Sequence, residues 1–172
     1  MKKALSHPVA LSLALTLAGA MALPAARAAD VKAARTAATT AHANAPGQAA
    51  ANKALVLKAY QALFGDHDLT ALDRYWAKDY IQHNPAMGDG TEAVKQFIDK
   101  LGIFNGPKGK VPFLRAAAES DLVFVHVLQP ATPYSPETVI VDIFRVTHGK
   151  ITEHWDVIQA VPAERVNKRA MY

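Results

Sequence analysis

The stretch 138–159, TVIVDIFRVTHGKITEHWDVIQ, constrains this chain more than any other. Both arms are dense in β-branched and aromatic residues and His148-Gly149 supplies a turn between them, so the segment reads as two antiparallel strands. Asp142 interrupts one apolar arm, while Glu153, His154 and Asp156 crowd the other. Charged side chains are rarely buried in strands unless paired, so the register decides what these groups can do. A three-residue loop, Thr147-His148-Gly149, with Gly149 left-handed in a bulge, sets Val146 opposite Lys150, Asp142 opposite His154 and Ile140 opposite Asp156. A two-residue loop of His148-Gly149 would instead set Asp142 opposite Trp155. The first register is preferred, because glycine after a polar residue suits the bulged loop. Alternation then gathers Ile140, Asp142, Phe144, His154 and Asp156 on one surface, a carboxylate and imidazole set in an apolar wall.

The N-terminal 28 residues read as a signal segment rather than as part of the fold. Lys2 and Lys3 precede an apolar run at 9–23, and Ala26-Arg27-Ala28 fits a small-x-small cleavage pattern. The run is short for a membrane span, so the expectation is cleavage after Ala28, a periplasmic or secreted product, and no membrane association afterwards. Cleavage removes Lys2, Lys3 and Arg27 from the 19 basic residues and none of the 15 acidic ones, leaving the mature chain near +1. The basic balance of the full sequence therefore gives no footprint for nucleic acid, and no stretch interleaves basic with aromatic residues. Cysteine is absent, which excludes disulfides, thiol nucleophiles and thiolate metal sites.

Residues 29–51 are alanine-rich and nearly devoid of large apolar side chains, so they read as a flexible leader. Residues 52–162 suit one domain with one core, followed by a tail at 163–172. Val56, Ala59, Tyr60, Leu63 and Phe64 recur at helical spacing, predicting a helix over 52–64 with Gly65 as its C-cap. A second helix is expected over 69–76, capped by Asp68. Asp89 and Glu92 match a capping box ahead of Val94, Phe97, Ile98 and Leu101, and Gly102 ends that third helix. Between these two helices, Tyr80-Ile81-Gln82-His83-Asn84-Pro85 reads as a short strand ending at His83, since Pro85 biases Asn84 toward extended backbone. Strands over 110–118 and 122–129 follow, joined at Glu119-Ser120-Asp121. Helices first and strands afterwards give an α+β fold with the helices on one sheet face.

Tyr80-Ile81-Gln82-His83-Asn84-Pro85, the helix opening at Asp89-Gly90, Val125-His126-Val127 and the final VDIFRVTHGKITEHWDVIQ together resemble the SnoaL-like polyketide cyclases of the nuclear transport factor 2-like (NTF2-like) superfamily. The resemblance spans about 52–162. It implies an NTF2-like cone, with N-terminal helices packed in a strongly curved antiparallel β-sheet, a pocket at the open end and dimerisation through the sheet. It also implies an aspartate on a late strand as acid and base in an aldol ring closure, helped by a histidine on the preceding strand. Those roles carry onto Asp142 and His126, with His83 and Asn84 at the pocket mouth.

A carboxylate set among Val141, Ile143 and Phe144 is desolvated and suited to taking a proton next to a carbonyl, whereas the structural alternative pairs Asp142 with His154 or Arg145. His126 interrupts Phe124, Val125, Val127 and Leu128. As a neutral imidazole it would polarise a substrate carbonyl, and as a satisfied core residue it would do nothing chemical. Phe124, Phe144, His154, Trp155 and Asp156 complete the expected substrate contacts. The histidines and aspartates also invite a metal, but no closely spaced ligand pair of the H-E-x-x-H kind is present and the resemblance implies none, so neither metal nor other cofactor is expected. Glu153 with Arg145 reads as a solvated cross-strand pair. The expected partners are a small hydrophobic carbonyl-containing molecule and a second copy of the chain, meeting through Val123, Val125, Val127, Val141 and Ile143. The competing function class is a non-catalytic module that holds a hydrophobic ligand or a protein.

Overall fold

A computed structural model of the chain describes residues 47–132 and 135–172. They belong to the contact unit His42–Tyr172. The expected signal segment and most of the leader lie outside the described residues. No helix among the described residues is long and apolar enough to cross a membrane.

Helix α1, Gln48–Tyr60, begins four residues before the expected start, within the alanine-rich stretch, because Ala49 to Ala51 extend the helix readily. Asn52 is buried on its inner side. Its amide donates to the Ser120 carbonyl at 3.2 Å and accepts from Gln48 at 2.8 Å, which ties the helix to the turn between the second and third strands. The apolar stripe Val56, Ala59, Tyr60 and Leu63 is buried, as its spacing predicts. The helix continues as one π-helical turn, Gln61–Gly65. The Gln61 side chain spans this turn, accepting from the Val111 N–H and donating to the Gly109 carbonyl. A Cβ on Gly65 would come within 2.6 Å of that carbonyl, so the close approach needs glycine.

Helix α2, Thr70–Tyr75, is held at its start by Asp68, whose carboxylate accepts from the Thr70 N–H at 2.9 Å. Helix α3, Gly90–Lys100, departs from the expected capping box. Asp89 makes no cap bond to the helix and instead accepts the Gln82 N–H at 2.8 Å, terminating the first strand.

The sheet has five strands in the order β1-β5-β4-β3-β2 and does not close. Strands β2 (Phe113–Glu119), β3 (Leu122–Gln129), β4 (Thr138–Thr147) and β5 (Lys150–Ala160) pair antiparallel in sequence. Strand β1, Trp76–Gln82, is longer than expected and joins β5 in parallel, so the sheet is antiparallel except at this edge. The sheet is curved, and α1 packs on β2 and β3 while α3 packs on β1.

The β4–β5 register matches neither expectation. His148 and Gly149 form a two-residue loop, both with positive φ, so Thr147 faces Lys150. One extra residue, Thr152, then bulges from β5 between the pairs Val146–Ile151 and Arg145–Glu153. The bulge shifts everything beyond it by one, so Asp142 faces Asp156 and Phe144 faces His154. It also restores the expected grouping, because Asp142, Phe144, His154 and Asp156 end on the same inner face.

Alternation sorts the rest. On β3, Val123, Val125 and Val127 point inward to the helices and are buried, so they are unavailable for the sheet-to-sheet contact expected of them. The outer face carries Phe124, His126, Val141, Ile143, Trp155 and Val157, in registered pairs across β3, β4 and β5.

Candidate functional site

The inner face brings four polar groups together where β4, β5 and the end of β1 meet. Asp142 and His154 are 4% and 7% exposed, and Oδ1 of the first lies 3.0 Å from Nε2 of the second. The His154 ring also stacks on Phe144 with centroids 4.7 Å apart, and Phe144 in turn meets the edge of Tyr60. Beside this pair, Asp156 accepts from the Asn84 side-chain amide at 2.6 Å.

Strand β1 supplies the support. Gln82 Oε1 lies 2.9 Å from His154 Nδ1 and accepts the Asn84 N–H at 2.9 Å, while its amide nitrogen donates to the Tyr80 hydroxyl at 2.7 Å. The His83 N–H donates to the His154 carbonyl at 2.9 Å, locking this end of β1 onto β5. Gln82 and Asn84 therefore face inward and His83 outward, the period-two rule applied at the strand's end.

Burial is the main influence on the Asp142 carboxyl and pushes its pKa above the usual 3.8. The hydrogen bond and charge of His154 and the neighbouring Tyr60 hydroxyl pull it down, and the charge of Asp156 adds to the rise. Tyr60 is itself pushed well up, by burial first and then by Asp142, so it stays a protonated donor beside that carboxyl. Tyr80 is likewise raised, chiefly by burial. Asp142 Oδ2 is fully buried and has no partner in hydrogen-bonding geometry.

The inner face beyond this cluster is apolar and progressively open. Val127, Ile140 and Ile158 form the next registered row, from buried through half-buried to exposed. A hydrophobic molecule resting on Ile140 and Ile158 would lie next to the Asp142–Asp156 row.

Several expected site residues stand elsewhere. His126 pairs with Val141 on the outer face, and its Nδ1 accepts from Arg115 Nη1 at 3.1 Å. The alternation that makes Val125 inward makes His126 outward, so the sheet separates it from Asp142, and His154 stands in the place expected of it. Phe124 is on that outer face as well, beside a shallow depression of about 160 Å³ that also involves Arg115, Ala117, His126 and Val141. Trp155 pairs with Ile143 there and stacks on His83 with centroids 4.7 Å apart. His83 is bound to Glu153 at 2.9 Å, away from the inner cluster. Glu153 and Arg145 form more than a solvated pair, because Arg145 also bonds the buried Asp121, giving a chain from Asp121 to His83 around the Trp155 ring. Of the expected residues, Asp142, His154, Asp156, Asn84 and Phe144 are brought together. Gln82, Tyr60 and Tyr80 join them unexpectedly. Parity with Asn84 was a signal for Gln82, whereas Tyr60 is indistinguishable by sequence from the other core positions of α1.

Asp142, His154 and Asp156 each offer a ligand atom, all within 4.8 Å of one another. The 3.0 Å separation of Oδ1 and Nε2 is that of a hydrogen bond. In chemical terms the cluster is a desolvated carboxyl with an imidazole behind it and a second carboxylate at its side, which suits proton transfer.

The curved five-stranded sheet with helices on one face defines a domain of the NTF2-like class. The SnoaL-like domain family matches residues 57–154, more than half of the sequence, and the chain belongs to that family. No curated protein matches it. Among solved structures it is similar to AclR, a candidate hydroxylase from Streptomyces galilaeus, at 22% identity and TM-score 0.53, covering 65% of this chain and 91% of that one. It is similar to TsrD from Streptomyces laurentii at 19% identity and TM-score 0.51, covering 63% and 88%. A candidate ketosteroid isomerase from Kribbella flavida aligns at 14% identity and TM-score 0.51, covering 70% and 87%. At these identities the likeness concerns the fold, and function rests on the site.

Proposed function

We propose that the chain is an exported SnoaL-like enzyme that removes a proton next to a carbonyl in a small hydrophobic molecule, with Asp142 as the base. The observation that carries this reading is the buried Asp142 carboxyl beside the open Ile140–Ile158 row, with Oδ1 held by His154, Oδ2 without a partner and the pKa raised by burial. Oδ2 takes the proton, the carbon–hydrogen electron pair moves onto the carbonyl oxygen, and the resulting enolate reacts onward by aldol closure, isomerisation or hydration. The protonated Tyr60 and the Asn84 amide are the nearby donors for substrate oxygen. The open apolar row of Ile140 and Ile158 supports a hydrophobic substrate. The fold is shared with proteins of several candidate chemistries, so the order of later steps belongs to the substrate.

Exchange of carbon-bound hydrogen in D2O tests this directly, with a panel of cyclic and aromatic ketones followed by NMR. The expected result is protein-dependent exchange next to the carbonyl for at least one hydrophobic ketone, lost in Asp142→Asn. Exchange that survives this substitution, or none across the panel, contradicts the reading. Export rests on the N-terminal sequence alone and is checked by finding Ala29 as the first residue of the natively produced protein.

A second reading is favoured by the outer face, where Val157 is 67% exposed beside Val141 at 37%. It is a self-complementary contact between two copies, which is compatible with the enzyme reading and would be the main role of a non-catalytic module.

A further inference from the structure

The hydrogen bonds around Gln82 determine where hydrogens sit in the buried pair. The Asn84 main-chain N–H can only donate, so the Gln82 atom 2.9 Å from it is the amide oxygen, and this fixes which way the amide faces. The amide nitrogen is then correctly placed to donate to Tyr80 at 2.7 Å and to the Met87 sulfur at 3.6 Å. The same oxygen lies 2.9 Å from His154 Nδ1. An amide oxygen cannot donate, so Nδ1 must carry hydrogen. His154 Nε2 then faces Asp142 Oδ1 at 3.0 Å, a distance that requires one hydrogen between them.

We propose that Gln82 is a positioning residue that holds His154 in the Nδ1–H form, so that the Asp142–His154 pair stores a single proton between Oδ1 and Nε2 and leaves Oδ2 as its free acceptor. This deepens the acid–base reading above and rests on it for its catalytic consequence. When Oδ2 takes a proton from substrate carbon, the Oδ1–H bond breaks and an Nε2–H bond forms. Asp142 remains a neutral acid, His154 becomes an imidazolium, and the carbon–hydrogen electron pair resides on the enolate oxygen. One positive and one negative charge appear together, so the net charge of site and substrate is unchanged by the step. The opposite tautomer would place hydrogen on Nε2 and a lone pair on Nδ1 against the Gln82 oxygen, losing both the storage place and the support.

Ring 15N spectra of histidine-labelled full-length protein test the assignment, with the His154 signals identified by their loss in His154→Gln. The expected wild-type spectrum shows hydrogen on Nδ1. Gln82→Leu, which removes the acceptor, is expected to shift the ring toward the Nε2–H form, and Gln82→Glu, which restores an oxygen at the same reach, to bring Nδ1–H back. Ketone exchange should fall by about tenfold or more in Gln82→Leu and recover at least in part in Gln82→Glu, since a histidine in the wrong tautomer is a poor relay. A wild-type Nδ1 without hydrogen overturns the proposal even if Gln82→Leu fails to fold. So does a Gln82→Leu spectrum with the wild-type tautomer. If the tautomer responds as expected while Asp142→Asn leaves ketone exchange unchanged, the positioning role stands and the enzymatic reading falls.

Discussion

Asp142 combines a buried carboxyl, a bond to His154 through one oxygen and an unpartnered second oxygen. The structural and catalytic readings of this residue both predict the His154 contact, and they separate on what substitution does. Asp142→Asn keeps the shape, and its amide can donate to His154 Nε2, so a thermal melt near neutral pH is expected to place it within about 1 kcal/mol of wild type. Asp142→Ala leaves Nε2 buried without a partner and is expected to lose roughly 1–3 kcal/mol. The pH dependence has a definite sign. Because burial raises the Asp142 pKa above 3.8, the folded state binds this proton more tightly than the unfolded chain. Its contribution is therefore fully present below 3.8 and is lost as pH rises through the raised value. Asp142→Asn should show a flatter stability profile across that window, and an identical slope in both proteins contradicts the assignment. The importance of Asp142 was legible from one charge in an apolar arm. Its partner was legible only as a choice, because His154 reaches it diagonally from a neighbouring pair.

At the scale of elements, the β4–β5 hairpin sets the site. The composition of its arms made both strands visible, and the His-Gly turn located the loop. The register was not visible, since Thr152 has no mark of a bulge residue and the loop size alone would have placed Asp142 against Trp155. The bulge compensates for the two-residue loop and returns His154 and Asp156 to the inner face. Gly149, at φ 73°, has open space around its Cβ position, so only backbone strain opposes a side chain there. Gly149→Ala is expected to destabilise by about 1–2 kcal/mol, measured by denaturant unfolding. Denaturation indistinguishable from wild type would mean that the loop does not hold this register. Strand parity also accounts for the misplaced residues. His126, Phe124, Trp155 and His83 were recognised as unusual by type, but type does not tell which face of a sheet a residue takes.

For the molecule as a whole, the α+β order, the three helices and the four antiparallel strands could be read from periodicity and turn chemistry. The parallel docking of β1 on β5 could not, because the pairing joins segments far apart in sequence. Curvature came from the family resemblance rather than from any spacing. The two faces of the sheet divide the labour. The inner face holds the helices and the acid–imidazole cluster, and the outer face presents an apolar strip of Phe124, Val141, Ile143, Trp155 and Val157. A dimer formed through that strip is expected by light scattering at micromolar concentration for a chain beginning at Gln48. Val157→Lys, at its most exposed apolar position, should shift the population to monomer without altering the fold by circular dichroism. A wild-type chain that is monomeric under these conditions removes the interface.

The proposed chemistry requires Asp142 to be a desolvated base and not merely the acidic half of a structural ion pair. Carboxyl 13C titration of aspartate-labelled protein, with the Asp142 signal identified by its loss in Asp142→Asn, addresses it without knowledge of the substrate. The expected midpoint lies above the ordinary carboxylate range around 3.8. A midpoint at or below that value would show the His154 charge outweighing burial and would contradict the account.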